Sequence, residues 1–325
     1  MLNWTSPSSD AGRSHPALPH DLPPSPATTS KPTGIALALG GGAARGWAHI
    51  GVLKAFDEAK IPVEMIAGTS IGALVGGCYL AGKLAELEEF ALSLTKRRIF
   101  GLLDFNFSGS GLLAGMRLTS RMREHLEGIT VESLPKPLVC VATEVRTGHE
   151  VWIHQGSLIT AIRASYALPG VFSPVVCNGR VLVDGALVNP VPVSVCRAYE
   201  QRVVVAVNLS SMALGRAAVI RHSADIVEAA ESDAGPTRPP LVLDRGPDLP
   251  TKPIGLLGVM IESFNIMQDR ISRARLAGDP PDLTLPLKLG NLGLAEFHRA
   301  AEAIDLGYQA GKLQAAEIKE MLAVV

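Results

Sequence analysis

Ser70, Asp184 and a run of glycines are the residues of this sequence whose types and spacing could do chemistry. Ser70 stands in Gly68-Thr69-Ser70-Ile71-Gly72, a G-x-S-x-G pentapeptide. The apolar run 63–67 before it reads as a buried strand, and Ile71, Leu74 and Val75 after it recur at helical spacing. A serine placed between strand and helix predicts a nucleophile elbow, a sharp turn that lifts the hydroxyl clear of the sheet. Gly68 and Gly72 suit that turn, because side chains there would collide across it. The helix that follows points its N-terminus at the reacting centre and favours negative charge developing there. The same five residues also arise by chance in a chain rich in glycine and serine. Their placement after a strand and before a helix favours the elbow.

A second turn precedes the elbow. Residues 34–39 read as a short buried strand, followed by Gly40-Gly41-Gly42-Ala43-Ala44-Arg45-Gly46 and a helix from Trp47 to about residue 60. One reading is a dinucleotide fingerprint with a pyrophosphate on the helix N-terminus. Its third glycine would fall at position 45, which is Arg45, and the acid about 20 residues on would be Glu64, at the start of the second strand rather than its end. The other reading is an oxyanion hole, in which consecutive glycines let backbone N–H groups converge without side chains in the way. The elbow after the next strand favours the second. Arg45 is either a structural tie to a neighbouring loop or a positive charge that supports the oxyanion. His49, one helical turn on, reads as a packed or capping histidine.

Asp184 closes the set. Residues 175–177 and 180–183 read as a hairpin around the Asn178-Gly179 turn, and the second strand ends in Asp184-Gly185-Ala186. A carboxylate at a strand tip next to a glycine is well placed to face a catalytic serine. Asn189 is expected to cap a helix over 190–199.

The elements that must position these groups follow from patterning. The 325 residues are 47% hydrophobic and 19% charged, enough for one large α/β domain or two small ones. Net charge is −1, from 30 basic and 31 acidic residues, which argues against a nucleic-acid partner. Cys78, Cys140, Cys177 and Cys196 are far apart, without C-x-x-C pairing, and read as reduced core thiols of a cytosolic protein. No apolar run is long enough to span a membrane, and the N-terminus lacks the apolar core of a signal peptide. Residues 1–32, rich in Pro and Ser, read as a disordered tail, and 33–325 as the folded domain. Helices are expected over 84–95, 116–126, 157–167, 255–276 and 294–322, and strands over 137–145, 150–154, 203–209 and 282–285. The helix over 255–276 carries apolar residues at 256, 257, 260, 261, 264, 267 and 271. Residues 99–113, with Phe100, Phe105 and Phe107, read as an irregular loop that lines an acyl pocket and touches a lipid surface, or as core. Residues 210–253 read as a long irregular insert.

Together the glycine loop 40–46, the elbow 68–72 and Asp184-Gly185-Ala186 resemble, in order and spacing, the patatin-like phospholipase family. The run Arg45-Gly46-Trp47-Ala48-His49-Ile50-Gly51-Val52, the blocks Ala161-Ile162-Arg163-Ala164-Ser165 and 184–192, and the run 277–282 are similar to its short bacterial RssA-type branch. The resemblance covers roughly residues 33–312. It implies a three-layer α/β/α sandwich with a mostly parallel central sheet, a Ser70–Asp184 dyad, and hydrolysis of fatty-acyl esters of phospholipids or lysophospholipids with neither metal nor cofactor. With the cysteines read as reduced, the expected location is the cytoplasm, and a substrate held in a bilayer calls for transient contact at the inner membrane surface. The oligomeric state stays open.

The dyad also follows from the histidines. A triad would draw its base from late in the chain, where only His222 and His298 stand, the first in the insert and the second without a loop motif. Asp184 would then be the base itself, and a carboxylate needs an apolar setting to work near neutral pH. Two rival readings remain: an NADP-dependent oxidoreductase built on the first strand–loop–helix unit, and a non-catalytic regulatory protein on the same scaffold.

Overall fold

The computed structural model describes residues 34–95, 114–210, 256–285 and 287–324. The expected tail at 1–32, the loop 99–113 and residues 211–253 of the insert lie outside the described residues.

Successive residues of the central strands fall in two different cores, the second of them richer in alanine. In β1 (Ile35–Leu39), Ile35, Leu37 and Leu39 join one core while Ala36 and Ala38 join the other. In β7 (Val204–Val207), Val205 and Val207 face the first core, Val204 and Ala206 the second. Strands buried on both faces in this way belong in a parallel sheet covered by helices on both sides. The sheet has eight strands in the order β5-β6-β3-β2-β1-β7-β8, with β4 paired to β3. The other strands are β2 (Val63–Thr69), β3 (Leu138–Glu144), β4 (Glu150–Ile153), β5 (Val175–Cys177), β6 (Arg180–Asp184) and β8 (Leu283–Thr284). The run β3-β2-β1-β7-β8 is parallel, while β4, β5 and β6 join antiparallel. The β5–β6 hairpin turns through Asn178 (φ 47°) and Gly179 (φ 76°), as the Asn-Gly pair predicts.

Helices α1 (Ala48–Glu58), α2 (Ile71–Leu80) and α3 (Leu84–Leu92), then α4 (Ala114–Leu126) and α5 (Leu158–Ser165), cover the face of the first core with α8 (Ala300–Val324). Helix α6 (Val193–Ala198) and Leu276 of α7 (Leu256–Gly278) cover the alanine face. The result is the expected α/β/α sandwich. Helices α1 and α8 cross at backbone distance. A Cβ on Gly51 would sit 1.9 Å from the Ile304 carbonyl oxygen, and one on Gly307 would sit 1.9 Å from that of Ala48.

One expectation is corrected. Asn189 does not cap a helix over 190–199. Its amide donates to Glu150 Oε1 and Ser194 Oγ, and α6 starts only at Val193. Of the apolar positions of helix α7 whose side chains are described, none is fully buried. Among its described side chains, those that are buried are Asn265, Gln268, Asp269 and Ser272, while Met260 and Met267 are 47% exposed. The helix packs on the Gly185–Leu187 turn, and Arg275 pairs with Glu150 at 2.9 Å. All four cysteines are free; Cys78, Cys140 and Cys196 are buried, and Cys177 is half-buried rather than in the core. Among the described residues no helix is long and apolar enough to cross a membrane.

Candidate active site

β1 has β2 on one side and β7 on the other, so successive connections leave it in opposite directions. Ligands in open α/β sheets bind at such a reversal, outside the carboxyl ends of the strands. The glycine loop, Ser70 and Asp184 converge at this end.

Ser70 is the single residue between β2 and α2, with φ 56° and ψ −121°. That conformation is strained for any residue but glycine and is over-determined by its surroundings. A Cβ on Gly68 would lie 2.6 Å from Ala73 Cα, and one on Gly72 would lie 2.1 Å from the Leu39 carbonyl oxygen. A serine at a helix start ordinarily turns its hydroxyl onto its own helix. This one makes no such cap and donates to Asp184 Oδ2 at 2.7 Å. Ser70 keeps 9% of its surface exposed.

Asp184 ends β6 and is buried. Its Oδ1 accepts from the Ala186 N–H at 2.8 Å, its N–H donates to the Ala167 carbonyl, and its carbonyl accepts from Thr143 Oγ1. Gly185 makes the turn possible, since a Cβ there would meet the Val141 carbonyl oxygen at 2.2 Å. Burial pushes the Asp184 carboxyl up to about 6, against the opposing hydrogen bonds from Ser70 and Ala186. The raised carboxyl thus sits hydrogen-bonded to the Ser70 hydroxyl.

The glycine loop lies against this pair. A Cβ on Gly41 would be 3.5 Å from Ser70 Cβ and 3.4 Å from Ala186 Cβ. The N–H groups of Gly40 and Gly41 donate to the carbonyls of Val207 and Pro190 at 3.1 and 2.9 Å, so they are already used. Ala44 donates to Leu294 and Arg45 to Gly42. Between them, the N–H groups of Gly42 and Ala43 have no partner among the described residues, and Ala43 holds φ 47°. Arg45 is buried, and its Nε donates to the Leu292 carbonyl at 2.7 Å, which makes it a tie to the segment before α8. Gly46 lets the start of α1 press on Ile71 of the elbow helix.

Ser165 is the residue that sequence reasoning missed. Its Oγ accepts from the Ser70 N–H at 2.9 Å and donates to the Val141 carbonyl at 2.6 Å. It therefore satisfies the one amide that the strained turn leaves outside α2. The available signal was a serine on the inward face of α5, beside Leu158, Ala161 and Ile162. His298 stands in the short turn Phe297–Arg299 before α8, and His222 lies outside the described residues. Among the described residues no histidine bonds to Ser70 or Asp184, and no three His, Cys, Asp or Glu side chains gather to hold a metal ion.

A serine at a strained strand-to-helix turn, hydrogen-bonded to a buried carboxylate, thus sits at the end of an α/β/α sandwich. The model of the patatin-like phospholipase family matches residues 37–197. An uncharacterized NTE family protein of Mycobacterium tuberculosis is 34% identical over 319 residues, covering 84% of this chain and 89% of that protein. The human patatin-like phospholipase domain-containing protein 6 is 34% identical over 186 residues, which span 54% of this chain and 13% of that protein. Lysophospholipase NTE1 of Mycosarcoma maydis is 36% identical over 194 residues, 55% of this chain and 10% of that protein. The chain belongs to the patatin-like phospholipase family.

Proposed function

We propose that this protein is a serine acyl hydrolase that cleaves fatty-acyl esters of phospholipids or lysophospholipids through a Ser70–Asp184 dyad. The observation that carries the reading is the 2.7 Å hydrogen bond from Ser70 Oγ to Asp184 Oδ2, at a strained elbow and beside two backbone N–H groups without a partner among the described residues. The lysophospholipase among its relatives supports the lipid substrate. The glycine loop serves as an oxyanion hole rather than a nucleotide cradle, because Gly42 and Ala43 offer free donors next to the nucleophile. The oxyanion donors are thus Gly42 and Ala43, while Gly40, Gly41, Arg45 and Gly46 hold the loop in place.

In the first half-reaction Ser70 Oγ attacks the ester carbonyl carbon as its proton passes to Asp184. The carbonyl oxygen becomes the oxyanion and accepts from Gly42 and Ala43, each donor contributing roughly a hundredfold or more in rate. Collapse breaks the bond to the leaving oxygen, which takes the proton from Asp184. In the second half Asp184 removes a proton from water, the hydroxide adds to the acyl carbon, and Ser70 leaves with that proton. No metal or cofactor takes part. The domain at 33–325 carries the whole site, works in the cytoplasm, and meets its lipid by transient contact with a membrane surface.

The test is labelling with a fluorophosphonate probe, together with hydrolysis of p-nitrophenyl butyrate and of lysophosphatidylcholine. Wild type is labelled on Ser70 and turns over both; Ser70→Ala does neither. Equal labelling or equal turnover by Ser70→Ala would falsify the reading.

A further inference from the structure

His49 lies on the first turn of α1, fully buried, with Nε2 2.8 Å from the Gly40 carbonyl oxygen. A carbonyl oxygen only accepts, so Nε2 must carry the proton. Nδ1 is then a bare acceptor, and it is buried without a hydrogen-bond partner. Burial holds the ring well below the ordinary histidine range, at about 4, so it is neutral at any working pH. An unpartnered buried acceptor costs about 1–3 kcal/mol. An apolar side chain of similar size would avoid that cost, but it would leave the Gly40 carbonyl without the Nε2–H donor.

The Gly40–Gly41 peptide unit is held at both ends: its carbonyl accepts from His49, and its N–H donates to Pro190. The next two peptide units carry the unpartnered N–H groups of Gly42 and Ala43. The Gly42–Ala43 unit is held from the far side, where the Arg45 N–H donates to the Gly42 carbonyl, but the Gly41–Gly42 unit has no bond of its own among the described residues, and with glycines at 40–42 free to turn, the fixed peptide before them sets the direction in which the pair enters. We infer that His49 is a positioning residue for acyl transfer: its Nε2–H locks the Gly40–Gly41 peptide so that Gly42 and Ala43 aim their N–H groups at the oxyanion formed when Ser70 attacks. The inference rests on the hydrolase reading above. A misplacement of about 1 Å in such donors costs up to about a hundredfold in rate.

The experiment measures kcat and KM for p-nitrophenyl butyrate, per active site titrated with fluorophosphonate, in wild type, His49→Leu, His49→Gln and His49→Asn. Glutamine can place a donor where Nε2 stands; asparagine and leucine cannot. The expected result is a fall in kcat of about thirtyfold in His49→Leu with KM within about twofold, and recovery of most of that loss in His49→Gln. A merely structural role would lower the melting temperature and the number of titratable sites, but not kcat per site. Where His49→Leu does not fold, the Gln and Asn variants carry the same comparison. In wild type, 15N spectra of the histidine rings should show His49 neutral, with its proton on Nε2, from pH 8 down to about pH 5. Unchanged kcat per site in the donor-less variants, or a proton on Nδ1, overturns the inference. Failure of the probe to label wild-type Ser70 overturns the hydrolase reading instead, and the ring spectra still report on the His49–Gly40 bond.

Discussion

β1 and β2 are parallel neighbours, and each runs into its helix through a turn with one non-glycine residue at positive φ, Ala43 at 47° and Ser70 at 56°. The two turns present different chemistry. The first is wide, with Gly40–Gly42 and the single 3-10 stretch Ala43–Trp47 between strand and helix, and it presents backbone N–H groups. It is held by bonds to four distant carbonyls, at Val207, Pro190, Leu294 and Leu292, and by the His49 ring. The second is one residue long, presents a side chain, and is held by Ser165 and by the closeness of its own glycines. A backbone donor is exposed by removing side chains around it, which leaves a floppy loop that outside anchors must fix. A side-chain hydroxyl is exposed by kinking the backbone beneath it, which is rigid once formed. The two turns touch where Gly72 rests on Leu39, the last residue of β1.

That contact gives the way to break both turns at once. In Gly72→Ala the new methyl would sit 2.1 Å from the Leu39 oxygen and 2.6 Å from its carbonyl carbon, so backbone must move. Because Leu39 leads directly into the glycine loop, the oxyanion donors shift along with the nucleophile. The expected loss is at least about 3 kcal/mol in urea denaturation, and at least about a hundredfold in kcat/KM for whatever folds. A variant within 0.5 kcal/mol of wild type, on the order of measurement scatter for a surface change, would show that the elbow and β1 are not interlocked.

The second turn alone depends on a buried charge, and Asp184→Asn isolates it. The carboxyl rises from its ordinary 3.8 to about 6 in the folded chain through burial. The folded state therefore binds this proton more tightly than the unfolded state does. Stability from this group is full below about pH 4 and is lost as pH rises through about 6. At about 1.4 kcal/mol per unit, the ionised Asp184 costs up to about 3 kcal/mol at pH 7.5. Asp184→Asn should then be more stable than wild type by up to that amount at pH 7.5 and equal to it near pH 4, measured by urea denaturation at both. It should also lose at least about a hundredfold in kcat, while wild-type kcat/KM falls as pH drops below about 6. An Asn variant less stable than wild type at pH 7.5 would mean that the carboxylate is a structural asset and not a strained base.

How much of this was legible follows the same division. The elbow and the Asp184 tip could be read because their signals are local: a serine with flanking glycines between strand and helix, and a carboxylate closing an Asn-Gly hairpin. The strands could be read because apolar runs leave little alternative. The sorting of the loop's N–H groups could not be read, because whether Gly41 or Gly42 is free depends on where the Pro190 and Val207 carbonyls arrive, more than 140 residues on. Ser165 was invisible as a support for Ser70 for the same reason, although its block was noticed. In helix α7 the apolar periodicity shows what a helix has to bury, not what it meets: its described buried side chains are polar, and it packs on the Gly185–Leu187 turn.

The smallest test concerns the first turn. Ala43 at φ 47° pays for a conformation that glycine adopts freely, about 1–2 kcal/mol for an L residue. Ala43→Gly removes that strain but also loosens the unfolded chain, which takes back about 0.5–1 kcal/mol. The net gain should be near 0.5 kcal/mol, or about 1–2 °C in melting temperature for a domain of this size. If the strain is incidental, activity stays level or rises with stability. If the methyl group at 43 restricts the direction of the two free N–H groups, a fourth consecutive glycine lets them wander, and kcat should fall about three- to tenfold with KM unchanged. The second outcome is expected, since the one bond made directly on residues 42 and 43, from the Arg45 N–H to the Gly42 carbonyl, holds only one end of their shared peptide, and every other anchor lies outside them. A variant that gains stability and keeps its full kcat would show that the anchors alone hold the donors, and that the two turns do not share the use of strain.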